Sequence, residues 1–556
     1  MSTPDIPQAA FSALEPVVLS VDAGTGSVRV LAFSTGGDLV AQASREWTHP
    51  AVPGHPGGTS FDTAGGWESL CAAFRDVSAR LHGREILSIA ASSMREGFVL
   101  YDAAGTEIWA CPNTDGRARV QAEALVAEGI AARIYEIAGD WVSITAPARI
   151  RWIAEHQPAV LAQARHLGML SDWVAYRLSG VFATDPTSGS SSALFDLRAR
   201  TWSEELADAV GLDRAVLPPV VECGTVLGAV TEAAAVATGL PAGTPIVAGG
   251  ADTQLALHGI GADSGDTTIV AGTFWQTTAI FDEPVIDPER RLRTLCHVAP
   301  DQWMVEGIGF LSGLAMRWFR DGFCEDLVTR AEHGGVSAYS LMEDEAQAVE
   351  PGSHGVVAIL SNVMQADAWH HAAPSFLNVD IAGTAVGRAA FVRAIEEAAA
   401  YVARAHLEIL DTLRPAEAEH DSVVFAGGSS SGRLWPQIVA DVTHRSVAVS
   451  FVAEATSYGA ARLAAAGVGV ELPPLRPRAA PVLPDTAASE QYELSFARWM
   501  SLYQAMVQLT RNEALEPLFT PPGGLPYDSA RARSSRISQY SPNTSNISNT
   551  KEPSHG

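Results

Sequence analysis

The sequence predicts an α/β protein made of two like halves facing each other across a cleft, and three observations predict it. Short β-branched, apolar runs alternate with Ala-rich stretches of helical character, Leu87–Tyr101 reading as strands and Ala389–Leu413 as one long helix. Val17 to Phe33, VVLSVDAGTGSVRVLAF, sets a Gly-Thr-Gly-Ser turn between two such runs. Thr267 to Phe281, TTIVAGTFWQTTAIF, does the same later, and Ala271-Gly272-Thr273 repeats Ala23-Gly24-Thr25. A repeated hairpin predicts a repeated domain, each copy opening one half of the chain. Two like domains that face each other leave a cleft in which phosphates can be gripped from both sides.

In the first hairpin, Gly24 and Gly26 free the backbone for conformations that a Cβ would forbid, so the turn's amides can converge on an anion. Thr25 and Ser27 add hydroxyl donors, and Arg29 adds a permanent positive charge. Asp22 closes the first run and suits a magnesium ion held through water, because that ion combines one or two carboxylates with substrate phosphates. Alone, such a stretch reads equally as a plain Gly-rich hairpin; the second copy favours phosphate. Next, Ser93-Met94-Arg95-Glu96-Gly97 sets an adjacent Arg/Glu pair between two apolar runs. Charges emerging at a buried strand end can hold vicinal hydroxyls, with a solvated turn as the alternative. Asn113-Thr114-Asp115-Gly116-Arg117 is a similar polar cluster.

Pro245 to Asp252, PIVAGGAD, is a β-run ending in Gly-Gly-x-Asp at the expected hinge, between about Gly250 and Gly272. A carboxylate there can accept a hydroxyl proton as a phosphoryl group arrives, although Asp also caps turns. Behind the second turn, Trp275, Gln276, Trp369, His370 and His371 can line a site; the His pair, lacking Cys or carboxylate partners, reads as structural more readily than metallic. Val423 to Gly432, VVFAGGSSSG, is a strand followed by a Gly/Ser turn and then a helix. A flat base can lie on such a turn beside a helix N-terminus, or the turn is simply a tight connection. Glu454 to Ala461 opens a small-residue helix that reads first as close packing.

Composition narrows the chemistry. With 556 residues, 47% hydrophobic and 18% charged, the chain has ordinary globular composition for two or more domains. A formal net charge of −26 argues against nucleic acid or an anionic membrane as partner. Cys71, Cys111, Cys223, Cys296 and Cys324 are scattered, which suits a reducing cytosol better than a disulfide framework or a zinc site. No run approaches the ~18 consecutive apolar residues of a membrane span. The first residues lack the basic start of a signal peptide, so a cytoplasmic protein is expected. The only lysine is Lys551, in a polar tail. Walker-A NTPases, protein kinases and pyridoxal-phosphate enzymes all need a lysine in the site and are excluded.

Together these residues resemble the FGGY carbohydrate kinases over about residues 16–510. The family's first phosphate motif matches Asp22 to Arg29 and its second matches Gly272 and Thr273. Its catalytic Gly-Gly-x-Asp matches Asp252, its adenosine motif Gly427 to Gly432, and its closing nucleotide motif Gly459-Ala460-Ala461. Finer matches at Ser93–Gly97, Ile108–Cys111, Gly272–Gln276, Met316–Asp321 and His371–Phe376 resemble the branch that phosphorylates 4,5-dihydroxypentane-2,3-dione.

The resemblance implies an actin-like ATPase fold, two ribonuclease-H-like domains around a nucleotide cleft. It implies transfer of the γ-phosphoryl group of ATP, with Mg2+, to the primary 5-hydroxyl of the linear dione. Asp252 would be the base; Arg95, Glu96, Asp252, Trp275 and Gln276 would surround the acceptor. Gly24, Thr25, Ser27, Arg29, Gly272, Thr273, Gly427, Gly428, Ser431 and Gly432 would hold the nucleotide, and Asp22 the metal. The expected organisation is a flexible leader over 1–15, an N-terminal domain over 16–262, a C-terminal domain over 263–510, and an extension over 511–556 ending in a disordered Ser/Asn-rich tail. The expected partner is a small polyol or dione, with neither nucleic acid nor membrane, and a homodimer stays open. Two departures stand out. Aldose kinases often carry Trp-x-Asp-x-Arg where this chain has Asn113–Arg117, and Ser429 and Ser431 stand where the branch tends to have Gly and Lys. The competing readings are another FGGY kinase, acting on glycerol, xylulose or ribulose, and an actin-like ATPase that drives a protein partner.

Overall fold

The structure, a computed structural model, describes residues 14–364, 371–383, 385–415, 421–450, 454–475 and 480–518. Trp369, His370, Lys551, residues 1–13 of the leader and the Ser/Asn-rich tail lie outside the described residues.

The first half is built on β1 (Val17–Ala23), β2 (Ser27–Ser34), β3 (Leu39–Glu46), β4 (Ile86–Ser93), β5 (Val226–Ala229) and β6 (Pro245–Ala251), in the spatial order β5-β6-β4-β1-β2-β3. The second is built on β7 (Thr267–Ala271), β8 (Trp275–Phe281), β9 (Arg293–Cys296), β10 (Trp303–Gly309), β11 (Ser422–Ala426) and β12 (Ser446–Ser450), in the order β9-β10-β8-β7-β11-β12. Without β5 and β9 the two orders coincide. Each is an antiparallel meander, β3-β2-β1 or β10-β8-β7, continued by parallel strands, β4-β6 or β11-β12. The duplication expected from the two hairpins is therefore present in the topology.

The strands follow from their residues. β1, VVLSVDA, is buried along its whole length because it lies mid-sheet with both faces covered, so it reads as a continuous β-branched run. β3, LVAQASRE, alternates exposed and buried residues, as suits an edge strand. Helix α1 (Thr63–Arg80) crosses from β3 to β4; Asp62 caps it by accepting from the Gly65 amide at 3.0 Å, and Leu70, Phe74 and Val77 pack into the same core as Val17, Leu19 and Ile89.

Between β4 and β5 the chain builds a separate lobe. Phe98–Tyr101 lies between Glu107–Cys111 and His166–Met169 in a small antiparallel sheet, and Phe98, Ile134, Trp152 and Leu167 share its core. A short helix, α2 (Pro186–Ser190), is buried at every residue and links this lobe to β6.

Helix α3 (Asp252–Ile260) follows β6. The second half contributes α4 (Ser312–Phe323), α5 (Ala338–Ala346), the long α6 (Arg388–Thr412), α7 (Leu434–Thr443) and α8 (Ala455–Gly467). Helices α3 and α8 occupy equivalent places after β6 and β12, and they meet backbone to backbone. A Cβ on Gly259 would lie 2.3 Å from Ala455 O, and one on Gly459 1.9 Å from Leu255 O. The small residues after Glu454 thus allow a close helix crossing between the halves, the packing role expected for them.

One local expectation is corrected. Gly24 and Gly26 are not among the residues with positive φ, so the first turn does not need glycine for its backbone angles. A Cβ on Gly26 would meet nothing within 4 Å, and one on Gly24 only Ser27 O at 3.5 Å. What the two glycines provide is open space over the turn.

Candidate functional site

The ends of three parallel strands line up at one edge of the first sheet. Asp22 pairs in register with Ser92, Gly250 also with Ser92, and Ala251 with Ser93, so Asp22, Arg95 and Asp252 follow from neighbouring strand ends. In open α/β sheets ligands bind at the carboxyl ends of strands. The Gly-Gly before Asp252 has a steric cause. A Cβ on Gly249 would sit 1.8 Å from Ala91 O, and one on Gly250 2.6 Å from Thr187 Oγ1. The pair lets β6 lie tight against β4 and lets Thr187 reach the strand. Thr187 Oγ1 donates to Asp185 Oδ1 at 2.5 Å and accepts from the Ala251 amide at 2.8 Å, fixing the backbone one residue before Asp252.

Asp252 opens α3 with its side chain still 39% exposed, its Oδ1 accepting from the Thr253 amide at 2.7 Å and lying 3.6 Å from Arg95 Nε. Burial pushes its carboxyl up to about 6; the Arg95 charge opposes this, while Glu96 and Asp22 add to it. A carboxyl poised near neutrality, open to the cleft, can accept a hydroxyl proton.

Behind Asp252 lies a buried ring of alternating charge. Arg95 Nη1 donates to Glu306 Oε1 at 2.6 Å and Arg293 Nη1 to Glu96 Oε1 at 2.8 Å. Arg293 Nη1 is 3.6 Å from Glu306 Oε1, and Arg95 Nε is 4.0 Å from Glu96 Oε1. Arg293 also donates to Asp140, whose carboxyl is pushed up to about 6 by burial against the pull of Arg293. Glu96 holds its place with φ of +63°, a left-handed conformation unusual for a residue with a side chain. Fully buried Arg149 stabilises it, donating to the carbonyls of Glu96 at 2.7 Å, Asn113 at 3.0 Å and Asp115 at 2.8 Å. Asp115 in turn accepts from Arg117 Nε at 2.8 Å, so the Asn113–Arg117 cluster is a braced loop.

The first turn is fastened from outside. Trp47 Nε1 donates to Gly24 O at 3.0 Å, His49 Nε2 lies 2.7 Å from Thr25 O, and Thr25 Oγ1 accepts from Asn113 Nδ2 at 3.1 Å. Arg29 is already committed: Nη2 donates to Asp22 Oδ2 and Nη1 to Glu454 Oε2, each at 2.5 Å. It therefore neutralises Asp22 and ties β2 to the start of α8; Ser27 beside it is half-buried.

In the second half, Gly272 and Thr273 are exposed, and the Gly313 amide at the start of α4 donates to Thr273 O at 3.2 Å. Gly427 has φ of +104°, and a Cβ there would meet Ala271 O at 2.6 Å, so the Gly/Ser turn must be glycine to lie against the second hairpin. Gly428 is open above, while Ser431 Oγ is used internally, donating to Gly428 O at 2.9 Å. The helix N-terminus beyond is occupied. Glu343 of α5 accepts from the amides of Arg433 at 3.0 Å and Leu434 at 2.8 Å, and a Cβ on Gly432 would lie 2.1 Å from its Oε1. A carboxylate there takes the dipole site an anion would use, so the turn and not the helix end is left for a base.

Trp275 is placed away from the cleft. It is 1% exposed and packs against Phe425 and Trp435 with centroids 5.2 and 5.1 Å apart. Gln276, the next residue on β8, is half-buried and points to the other face. The aromatic neighbours at the cleft end are Phe274 and Phe310, 5.6 Å apart, with His371 5.5 Å from Phe310.

Arg149, Asp140, Thr187, Arg293, Glu306 and Glu343 escaped the sequence reading. A signal existed for Glu306, a lone charge inside the apolar strand run WMVEGIG; Arg293, which opens its strand after Arg290 and Arg291, gave none. Thr187 lay hidden in DPTSGSSS, which has the composition of a loop yet is buried.

The N-terminal domain of the FGGY family of carbohydrate kinases matches residues 17–259, and its C-terminal domain residues 267–468. Autoinducer-2 kinase of Yersinia pestis bv. Antiqua (strain Angola) is 40% identical over 520 residues, covering 91% of this chain and 97% of that protein. The autoinducer-2 kinase of Salmonella paratyphi A is 39% identical over 519 residues, with the same coverage of 91% and 97%. Among solved structures, xylulose kinase from Rhodospirillum rubrum superposes with a TM-score of 0.76 at 26% identity, over 88% of this chain and 98% of that one. Plasmodium falciparum glycerol kinase with ADP gives 0.76 at 19% identity, over 88% and 98%, a likeness of fold alone. The chain belongs to the FGGY family of carbohydrate kinases and has their actin-like α/β fold, with ATP as phosphoryl donor. Among the described residues no helix is long and apolar enough to cross a membrane.

Proposed function

From that membership we propose that the protein is an autoinducer-2 kinase, transferring the γ-phosphoryl group of ATP to the 5-hydroxyl of 4,5-dihydroxypentane-2,3-dione in the cytoplasm as part of quorum-signal processing. The observation that carries the reading is Asp252, open to the cleft beside Arg95 at 3.6 Å, in a chain that shares 40% identity over 520 residues with autoinducer-2 kinases.

Asp252 accepts the proton of the 5-hydroxyl as its oxygen attacks the γ-phosphorus, and the bond to the β–γ bridging oxygen breaks, leaving ADP. Arg95 and Glu96 orient the acceptor's remaining oxygens. The open turns at Gly24–Ser27 and Gly272–Thr273, closed by the Gly24 and Gly272 amides, leave their other amides and hydroxyls for the phosphates from opposite halves, and the turn at Gly427–Gly428 receives adenosine. Asp22, at a strand end next to the open first turn, suits a magnesium ion that takes its other ligands from phosphate and water. A magnesium ion held by Asp22 would supply positive charge to the leaving phosphates, and it would share that carboxylate with Arg29, which also donates to Glu454.

The test is a coupled ATP-consumption screen across the dione, glycerol, xylulose and ribulose. A kcat/KM for the dione ~10² or more above the others is expected, since buried hydrogen-bonding groups reject analogues that leave them unpaired. Preference for glycerol or a ketopentose would keep the kinase chemistry and overturn the acceptor.

A further inference from the structure

Arg95 and Glu96 belong to the first half, yet the charged groups that hydrogen-bond their side chains come from the second. Glu306 on β10 takes the Nη1 end of Arg95, and Arg293 on β9 takes the carboxylate of Glu96. All four side chains are at least nine-tenths buried. Two consequences follow from the distances. Glu306 engages Nη1 of Arg95 at 2.6 Å while Asp252 lies 3.6 Å from Nε, beyond hydrogen-bond distance, so the guanidinium is anchored on Glu306 and leaves the carboxylate of the base free for a proton. Arg293, braced by Asp140 on its other nitrogen, fixes the carboxylate of Glu96, whose left-handed backbone Arg149 holds through the Glu96 carbonyl. The ring also leaves one donor and one acceptor without a hydrogen-bond partner, Arg293 Nε and Glu306 Oε2. A buried ion cluster is a poor source of stability compared with apolar packing, so its presence beside the base calls for a role in specificity.

We propose that Arg293 and Glu306 are the second half's contribution to acceptor recognition: they position Arg95 and Glu96, and so make acceptor specificity a joint property of both halves. The inference deepens the kinase reading above and rests on it. Neither residue touches Asp252 or the nucleotide turns, so both are positioning residues. The matching ligand class is a short linear acceptor that sets acceptor-only carbonyl oxygens beside donor hydroxyls, because guanidinium only donates and carboxylate only accepts. When the ring is disturbed, the acceptor should lose affinity while ATP does not.

The experiment uses the full chain with Arg293→Met, Arg293→Lys and Glu306→Gln, measuring thermal unfolding and initial rates against both substrates. Rates are read on whichever of the dione, glycerol, xylulose or ribulose the wild type uses best. For Arg293→Met, kcat/KM for the acceptor should fall by ~10², the scale of leaving buried polar groups unpaired. The KM for ATP should stay within about twofold, and Arg293→Lys should recover about tenfold, because an ammonium can pair with one carboxylate but not bridge several. If Arg293→Met does not fold, Glu306→Gln and Arg293→Lys carry the test through the same split between acceptor KM and ATP KM. Folded variants with unchanged acceptor KM, or with both KM values rising together, would overturn the inference. A wild type that prefers glycerol or a ketopentose overturns the dione assignment and leaves this split to be read on that acceptor. A wild type that turns over none of the four overturns both.

Discussion

The two halves carry the same hairpin and use it differently. Each has three residues between strands, Gly24–Gly26 between β1 and β2 and Gly272–Phe274 between β7 and β8. Superposing the turns sets Asp22 against Val270, Ser27 against Trp275 and Arg29 against Thr277. In the first half these positions are charged or hydroxylic, and Arg29 links Asp22 to Glu454. In the second they are apolar or buried, and Trp275 anchors the core between Phe425 and Trp435. One scaffold was therefore duplicated while the chemistry was divided. Carboxylates and guanidinium groups gather at the strand ends of the first half, whereas the second supplies neutral turns, a large core and charges sent across to the first, Arg293, Glu306 and Glu454 among them.

That division can be broken most forcefully at Trp275. Trp275→Ala should cost about 3–5 kcal/mol of stability, as large-to-small changes in packed cores do, whereas Ser27→Ala at the matching position should stay within about 0.5 kcal/mol. Chemical denaturation of both variants checks it; similar costs would erase the contrast. Next comes Asp252→Asn, which should keep ATP binding and lower turnover by at least ~10², the scale of a positioned base. Because burial raises the Asp252 carboxyl to about 6, the base is lost by protonation as pH falls through that value. Wild-type kcat/KM for the acceptor should then drop about tenfold per pH unit below it. The Asn variant's residual rate should show no such fall, and a pH series on both measures it.

The smallest expected effect sharpens the comparison inside the first half. Thr187→Val keeps shape but removes the hydroxyl that holds the Ala251 amide at 2.8 Å. It should lower kcat by about tenfold with little change in either KM, from a misplacement of Asp252, and Thr187→Ser should restore most of it. A Val variant with wild-type kcat would show that β6 alone fixes the base.

Legibility in the sequence followed the range of the interactions. The hairpins, the Gly-Gly-x-Asp and the long helix were readable because each is specified within a few residues: β-branched runs, a turn, and helical periodicity over Arg388–Thr412. Asp252 and Arg95 were readable for the same reason, as polar residues where an apolar strand stops. Trp275 was not, because an aromatic after a turn faces a cleft or a core according to which neighbours pack on β8. Arg29 was readable as a charge near phosphate, but not as the partner of Glu454, 425 residues away.

By itself the sequence determined that this is a duplicated α/β kinase with a carboxylate at the hinge, since strand patterning and turn chemistry are specified within a few residues, whereas the approach of Gly249 to Ala91 that explains the Gly-Gly is a contact between strands. Only the tertiary structure decided which charges meet. Glu306 and Arg293 reach Arg95 and Glu96 across about two hundred residues of chain, 211 and 197 apart. Glu343 fills a helix end 91 residues ahead of it. Burial then turns those encounters into shifted proton affinities and a fixed acceptor wall, because charges removed from water are governed by the few partners that the fold brings within about 4 Å.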